Sequence, residues 1–162
     1  MIERYTLPEM GSIWDEENKL RTWLAVEIAA CDAMAEMGQI PVQAAAVIRE
    51  KAGFDLDRVR EIEERVRHDV IAFLTAVGEK VGPESRYIHL GLTSSDVLDT
   101  AAGMQMARAA DLLIGKVVSL REVLKRRAQE FRHTPMIGRP HGIHAEPPTF
   151  GLKLALWYDE MG

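Results

Sequence analysis

An arginine, two histidines and a carboxylate lie within the ten residues from Gly138 to Pro147, which read Gly-Arg-Pro-His-Gly-Ile-His-Ala-Glu-Pro. Gly138 and Gly142 allow the backbone to approach a ligand closely, while Pro140 and Pro147 disfavour helix between them. Histidine is the side chain best suited to donating and recovering a proton near neutral pH. The segment therefore predicts a helix-free loop that performs acid–base chemistry over a bound anion.

A metal site is the alternative interpretation of the same region, using His133, His141, His144 and Glu146 as ligands. Their spacing is not that of a known zinc-binding helix motif, and the prolines would splay the side chains. We therefore predict no metal site here.

The composition indicates a globular protein with one ordinary core, since 47% of the 162 residues are hydrophobic and 28% are charged. A net charge of −5 disfavours nonspecific binding to nucleic acid or membranes. The first residues are charged and no apolar run follows them, so we predict no signal peptide, no membrane span and a cytoplasmic location. The single cysteine, Cys31, is expected to be a buried and unreactive thiol.

Apolar residues recur at helical spacing through the first part of the chain, which predicts amphipathic helices and no strands. The first helix should run from Glu16 to Met37 behind an N-cap at Asp15. The second should run from Pro41 to Ala52, and Asp55 or Asp57 should cap the third.

Arg67 and His68 are predicted to lie at a junction between two helices. The third helix carries Val59 and Ile62, and Asp69 is a candidate N-cap for a fourth helix over residues 70–81. A junction of this kind exposes backbone donors and side chains together, which suits ligand binding.

Residues 82–93 have no helical period, and we interpret them as an ordered linker into a helix capped by Ser94, Ser95 or Asp96. From the residues alone, Asp69, Ser94 and Asp96 are explained equally well as purely structural helix caps and as functional residues.

The predicted fold is all-α, with an N-terminal helical domain over residues 1–93 and the start of a helical bundle over residues 94–162. Apolar residues keep a spacing of three and four from Val97 to Arg132, without proline. A run that long implies a bundle, and the helix is expected to need partners outside this sequence. Pro147 and Pro148 should open one more helix.

Five segments, taken in order, resemble the N-terminal part of the adenylosuccinate lyase family, within the fumarase and aspartase superfamily. Each is weak alone, but the five together are highly specific and span essentially the whole chain. They are Arg4-Tyr5, the run from Ile13-Trp14 to Arg21-Thr22-Trp23, the triplet Arg67-His68-Asp69, the run from His89 to Val97, and the loop around His141.

The resemblance implies a β-elimination that splits adenylosuccinate into AMP and fumarate, with the equivalent cleavage of the succinylated aminoimidazole carboxamide ribotide in purine biosynthesis. Both substrates carry a phosphate and two carboxylates. The reaction needs a base beside a carboxylate, donors for the developing aci-carboxylate, and an acid for the departing nitrogen. It requires no redox cofactor or metal, so we predict none.

By resemblance, His141 is the general acid toward the leaving nitrogen. His68 is a second catalytic residue that contacts the substrate or supports His141, and Arg67 and Asp69 lie beside it at the substrate.

The resemblance also implies further substrate contacts. Arg4 and Tyr5 would hold the phosphate and sugar region, Thr93 and Ser94 would bind a carboxylate, and His89 would make an additional contact. Thr93 and Ser94 would combine hydroxyl donors with the positive end of a helix.

The chain departs from the family's pattern at Pro140, where a hydroxyl residue is usual, and at Pro148, where threonine is usual. The family's serine base and later lysine, asparagine and glutamate are absent from these 162 residues. In that superfamily three subunits of a homotetramer build each active site around a central bundle. We therefore expect this chain to be an N-terminal piece that is inactive alone.

Two alternatives remain open from the sequence. One is a sister lyase of the argininosuccinate lyase, fumarase or aspartase type, whose substrates lack a phosphate. The other is a non-enzymatic helical scaffold, which explains the apolar stripe from Val97 to Arg132 but not the gathering of arginine, histidine and hydroxyl residues at helix breaks.

Overall fold

The computed structural model describes residues 2–162, except for the side chain of Glu3, and it confirms the all-α prediction. No β-strand occurs among the described residues; one isolated bridge joins Pro135 and Thr149. Short 3-10 helices cover Glu3–Tyr5, Pro83–Tyr87 and Pro140–Gly142. The α-helices are α1 (Pro8–Trp14), α2 (Glu16–Glu36), α3 (Val42–Lys51), α4 (Leu56–Val66), α5 (Asp69–Val81), α6 (Ser94–Glu130) and α7 (Phe150–Glu160).

Two compact units divide the chain within α6, between Ala109 and Ala110. The domain boundary between residues 93 and 94 stays a prediction. None of the helices described in residues 2–162 is long and apolar enough to cross a membrane.

The core of the first unit is formed mainly by α2, α3 and α5. Trp23 of α2 and Phe54 both meet the ring of Phe73 edge to face, at centroid distances of 5.6 and 5.8 Å. Trp23 and Phe73 are almost fully buried. Aromatic pairs of this geometry add to the stabilisation that burial of their apolar surface provides.

Side-chain caps set several of the helix starts, as the sequence predicts. Asp15 accepts a hydrogen bond from the amide of Asn18 at 2.6 Å and begins α2, and Asp55 accepts one from Arg58 at 2.9 Å and begins α4. Gly38 follows α2 with a φ of 71°, a left-handed conformation that costs glycine little.

Two predicted helix starts are wrong. His68, not Asp69, caps α5, because His68 has an extended backbone and its Nδ1 accepts from the amide of Ile71. Thr149, not the proline pair, begins α7, because its hydroxyl oxygen accepts from the amide of Leu152 at 3.1 Å.

Cys31 is buried, as predicted, and its thiol lies 3.6 Å from the carbonyl oxygen of Tyr87. Burial, together with the nearby carboxylates of Glu27 and Asp32, raises the pKa of the Cys31 thiol from 9.0 to about 11, and burial is the largest cause.

The folded protein should therefore resist thiol reagents at pH 8, whereas the protein unfolded in guanidinium should react at once.

Because the pKa of Cys31 is raised by folding, its contribution to stability is complete below pH 9 and is lost as the pH rises toward 11. The unfolding free energy of wild type should fall more steeply across that window than that of Cys31→Ala. Rapid labelling of the native thiol with a disulfide reagent at pH 8 would contradict this assignment.

Candidate active site

The junction between α4 and α5 presents three predicted site residues in succession. Arg67 ends α4 in a left-handed conformation with φ 55° and ψ 35°, and its amide donates to the carbonyl of Glu63 at 2.8 Å. His68 then turns the chain into α5, with its Nδ1 3.6 Å from a carboxylate oxygen of Asp69. All three side chains are exposed, so they are available to a ligand.

His68 uses its Nδ1 within the fold, which leaves Nε2 for a substrate. Nδ1 accepts from the Ile71 amide at 3.4 Å, so this nitrogen is the acceptor in the neutral ring and Nε2 then carries the proton. The ring is half exposed. The start of α5 therefore fixes which nitrogen faces outward.

His89 lies in the turn between the 3-10 helix Pro83–Tyr87 and α6, and a buried carboxylate holds it there. Its amide donates to Oε2 of Glu27 at 2.9 Å, and its Nδ1 lies 2.5 Å from Oε1 of the same side chain. The His89 side chain is 19% exposed and that of Glu27 is 1% exposed. A carboxylate so buried requires hydrogen-bonding partners, and His89 supplies two of them.

Thr93 and Ser94 lie at the N-terminus of α6. The amide of Thr93 donates to Oδ2 of Asp96 at 2.8 Å, and the Asp96 amide donates to the carbonyl of Thr93 at 3.0 Å. This is half of a capping box, with Asp96 in the position of the acidic member. The predicted caps at Ser94, Ser95 and Asp96 are thus corrected: Thr93 precedes the helix, and Asp96 supports it from within the first turn.

The N-terminal pair Arg4 and Tyr5 lies in a short 3-10 turn, with both side chains exposed. The guanidinium carbon of Arg4 is 4.8 Å from the centroid of the Tyr5 ring, which is a cation–π contact. Stacking of this kind orients an exposed guanidinium while leaving its N–H groups free for an anion.

The loop that carries His141 belongs to the second unit and is closed by main-chain hydrogen bonds. Met136 donates to Pro148 at 2.9 Å and Ala145 donates to Gly138 at 2.9 Å. A Cβ added at Gly138 would lie 2.7 Å from the carbonyl oxygen of Glu146, so the two sides of the loop approach too closely for any other residue there.

The loop is not wholly free of helix, which corrects the sequence prediction. Pro140 opens a 3-10 turn over Pro140–Gly142, and its carbonyl accepts from the amide of Ile143 at 3.1 Å. A proline tolerates the first position of a helical turn because the missing N–H has no partner there. His141 is exposed at the centre of this turn.

Three of these residues share a left-handed backbone conformation. Among residues 2–162, the non-glycine residues with positive φ are Arg67 (55°), His89 (63°) and His141 (53°). Such a conformation costs an ordinary side chain about 1–2 kcal/mol, and residues held in it concentrate at ligand-binding and catalytic sites. Each was assigned to the site from the sequence alone.

Within the first unit, the site residues are brought into three separate elements. These are the α4–α5 junction, the turn at His89 and the N-terminus of α6, in addition to the N-terminal 3-10 turn of Arg4 and Tyr5; across the described part of the chain no hydrogen bond joins a site side chain of one element to that of another. His141 lies in the second unit. No group of three histidine, cysteine or acidic residues in the described chain is placed to hold a metal ion.

Sequence reasoning missed Glu27. It is the buried charged side chain among the described residues, between Trp23 and Cys31 on the buried face of α2. The signal was present, because Trp23, Glu27 and Cys31 are spaced by four and a glutamate on an apolar face demands a partner.

Comparison with known proteins places this architecture among lyases. A family model described as Lyase matches residues 3–162. The chain is 60% identical over 161 residues to a protein named adenylosuccinate lyase from Synechocystis, and 52% identical over 161 residues to one of that name from Bacillus subtilis. Each alignment covers 99% of this chain and 37% of the relative, so the chain spans little more than a third of their length.

Solved structures share the fold. The chain matches a fumarate lyase from Mesorhizobium with a TM-score of 0.87 and 30% identity, over 94% of this chain and 37% of that one. It matches a 3-carboxy-cis,cis-muconate lactonizing enzyme from Pseudomonas putida with the same TM-score and 30% identity, over 97% of this chain and 37% of that one.

Proposed function

Because the chain belongs to the lyase family, we propose that the full-length protein of which it forms a part eliminates fumarate from adenylosuccinate to give AMP. We extend the proposal to the succinylated aminoimidazole carboxamide ribotide, which would place the protein in purine biosynthesis. The observation that carries the proposal is that similarity to proteins named adenylosuccinate lyase extends over nearly the whole chain.

The reaction breaks one carbon–nitrogen bond and forms one carbon–carbon double bond. A base removes a proton from the carbon beside one carboxylate, the electron pair forms the double bond of fumarate, and the nitrogen departs with a proton from an acid. We assign that acid to His141, because its ring is exposed in a turn whose main chain is held by hydrogen bonds. His68 is the second proposed catalytic group, through its free Nε2. The base lies outside these 162 residues.

The anionic and other polar groups of the substrate find suitable hydrogen-bonding partners in the first unit. We assign the phosphate and sugar region to Arg4 and Tyr5 and the neighbourhood of the scissile bond to Arg67 and Asp69, with His89 as a further contact. Thr93 and Ser94 offer hydroxyl groups, and the first turn of α6 offers unpaired amides, which favours a carboxylate.

An exposed apolar surface on the helices of the second unit supports the proposal of a homotetramer. Large hydrophobic side chains stay exposed there at helical spacing: Leu113, Ile114, Val118, Leu120, Val123, Leu152, Leu156 and Trp157. Large hydrophobic side chains that stay exposed in such number on two helices are typical of an interaction site. We propose that residues 94–162 begin a bundle shared between subunits and that each active site is completed by neighbouring subunits.

The substrate and the surface charge fit a cytoplasmic enzyme that acts on small molecules. The proposed substrate is a soluble nucleotide, and a net charge of −5 disfavours nucleic acid and anionic membranes as partners.

The proposed function is tested by substrate discrimination in the full-length protein. We expect loss of adenylosuccinate, with kcat/KM about 100-fold above that for the same molecule lacking the 5′-phosphate, because charge-assisted hydrogen bonds to the phosphate are lost. Argininosuccinate should not be cleaved. Equal turnover with and without the phosphate, or preference for argininosuccinate, would favour a sister lyase; absence of both turnover and AMP binding would favour a scaffold.

A matched pair of arginine variants tests whether Arg67 binds the substrate. Arg67→Gly removes the guanidinium, while glycine suits the left-handed end of α4, so KM should rise about tenfold without loss of stability. Arg65→Ala removes an exposed guanidinium two residues earlier, 3.8 Å from Glu61, and should leave KM unchanged.

A further inference from the structure

Glu27 stands apart from the other carboxylates because it is buried in the core and its hydrogen bonds go to one residue. Its side chain is 1% exposed on the inner face of α2. One oxygen accepts from the His89 amide at 2.9 Å and the other lies 2.5 Å from the His89 Nδ1. The two residues are separated by 62 positions, so the contact fastens the turn at His89 to α2.

The contact determines the state of the imidazole. A carboxylate accepts hydrogen bonds and donates none, so Nδ1 of His89 carries a proton and Nε2 remains for another group. A hydrogen bond at one ring nitrogen fixes the tautomer and the orientation of a histidine that uses its other nitrogen for function. When both ring nitrogens are protonated, Nε2–H is left to donate to an anionic oxygen.

The contact also holds the backbone of His89. The amide that donates to Glu27 belongs to a residue with a φ of 63°, a conformation that persists only where surrounding contacts enforce it. Thr93 follows only four residues later, within about 14 Å along the chain. The same carboxylate therefore anchors the turn that leads into the N-terminus of α6.

We propose that Glu27 is a positioning residue, which accepts from Nδ1–H of His89 and so orients the doubly protonated ring to donate its Nε2–H to an anionic oxygen of the substrate. Glu27 itself does not touch the substrate. This inference rests on the proposed function, in which His89 is a substrate contact, and it adds the buried group through which that contact is set.

The test uses Glu27→Gln, a variant of nearly the same shape. The glutamine amide presents N–H donors, and if its oxygen accepts from the His89 amide then its nitrogen faces Nδ1. Nδ1 must then become an acceptor, and the proton of the neutral ring moves to Nε2. The control is Asp32→Asn, which changes a carboxylate on the same helix that pairs with Arg49 at 2.6 Å.

Two readouts on the full-length protein decide the question. In ¹⁵N-histidine spectra, the signals of His89 are assigned by their loss in His89→Gln. The Nδ1 signal should be that of a protonated nitrogen in wild type and in Asp32→Asn. In Glu27→Gln it should be that of an unprotonated nitrogen, with the proton on Nε2. In kinetics with adenylosuccinate, Glu27→Gln should raise KM about tenfold and alter kcat much less, because a ring whose Nδ1 is an acceptor is neutral and its Nε2–H makes a weaker hydrogen bond to an anion than a doubly protonated ring does. In the His89→Gln background the same substitution should have no further effect.

Each contrary outcome has a distinct meaning. An unchanged histidine spectrum, or an equal loss of kcat/KM from Glu27→Gln with and without His89, overturns the positioning role. If wild type cleaves adenylosuccinate but His89→Gln does so equally well, the inference fails and the proposed function stands. If wild type cleaves no adenylosuccinate, the proposed function fails and the inference with it.

Discussion

Replacing His141 by asparagine in the full-length protein is expected to lower kcat about 10²–10⁴-fold, the usual contribution of a general acid. Asparagine is chosen because it tolerates the left-handed backbone that His141 adopts, with φ 53°, so the turn should keep its shape. Its amide can donate a hydrogen bond but cannot release a proton to the departing nitrogen. KM should change by only a few-fold, because the phosphate and carboxylate contacts of the proposed site lie elsewhere.

His141→Ala and His133→Ala complete this experiment. Alanine should reproduce the loss of kcat and add any cost of the strained backbone, so the difference between the two His141 variants measures that cost. His133 is an exposed histidine that follows α6 in the same unit, and its replacement should leave kcat unchanged. Steady-state rates of adenylosuccinate loss give all three values. A kcat within threefold of wild type in His141→Asn would remove His141 from the proton transfer.

The positions of the helices other than α1 could be predicted from the sequence because their signals are local; no helix is predicted over Pro8–Trp14. Asp15 and Asp55 cap α2 and α4 through residues three positions later, a pattern visible in the sequence itself. The start of α5 was misplaced because a histidine nitrogen took the role expected of Asp69. The choice between two adjacent polar residues depends on which of them has an extended backbone, and no sequence pattern shows that.

The sequence predicts the residues of the proposed site, but not their backbone conformations or the side chains that hold them in place. Composition and the family resemblance singled out Arg67, His89 and His141, yet nothing local indicated that all three adopt left-handed backbone. The partner of His89 lies 62 positions away, on a helix whose sequence pattern indicates only an amphipathic helix. Contacts between distant segments arise from tertiary packing, so helical periodicity alone could not identify Glu27.

Gly151→Ala is the second substitution expected to have a large effect, here on stability. Gly151 lies in the first turn of α7, where a Cβ would be 2.4 Å from the carbonyl oxygen of Ala128 and 2.6 Å from Cα of Arg132. Both are backbone atoms, so no side-chain rotation relieves the clash and α7 must move away from the end of α6. Overpacking of this severity costs about 3 kcal/mol.

Hydrogen exchange over residues 150–160 measures that cost where it arises. A loss of about 3 kcal/mol corresponds to faster exchange by roughly 100-fold in α7, while amides of α2 should be unaffected. Gly115→Ala is the matched control, because a Cβ there meets nothing within 4 Å and alanine should stabilise α6 by about 1 kcal/mol. Equal protection of α7 in Gly151→Ala and wild type would mean that the two helices do not approach as closely as described. Gly151→Ala should also lower kcat. Gly151 follows Phe150, whose amide donates to the carbonyl of Thr134 at 2.8 Å where the two ends of the His141 loop meet, so a displacement of α7 also displaces the loop.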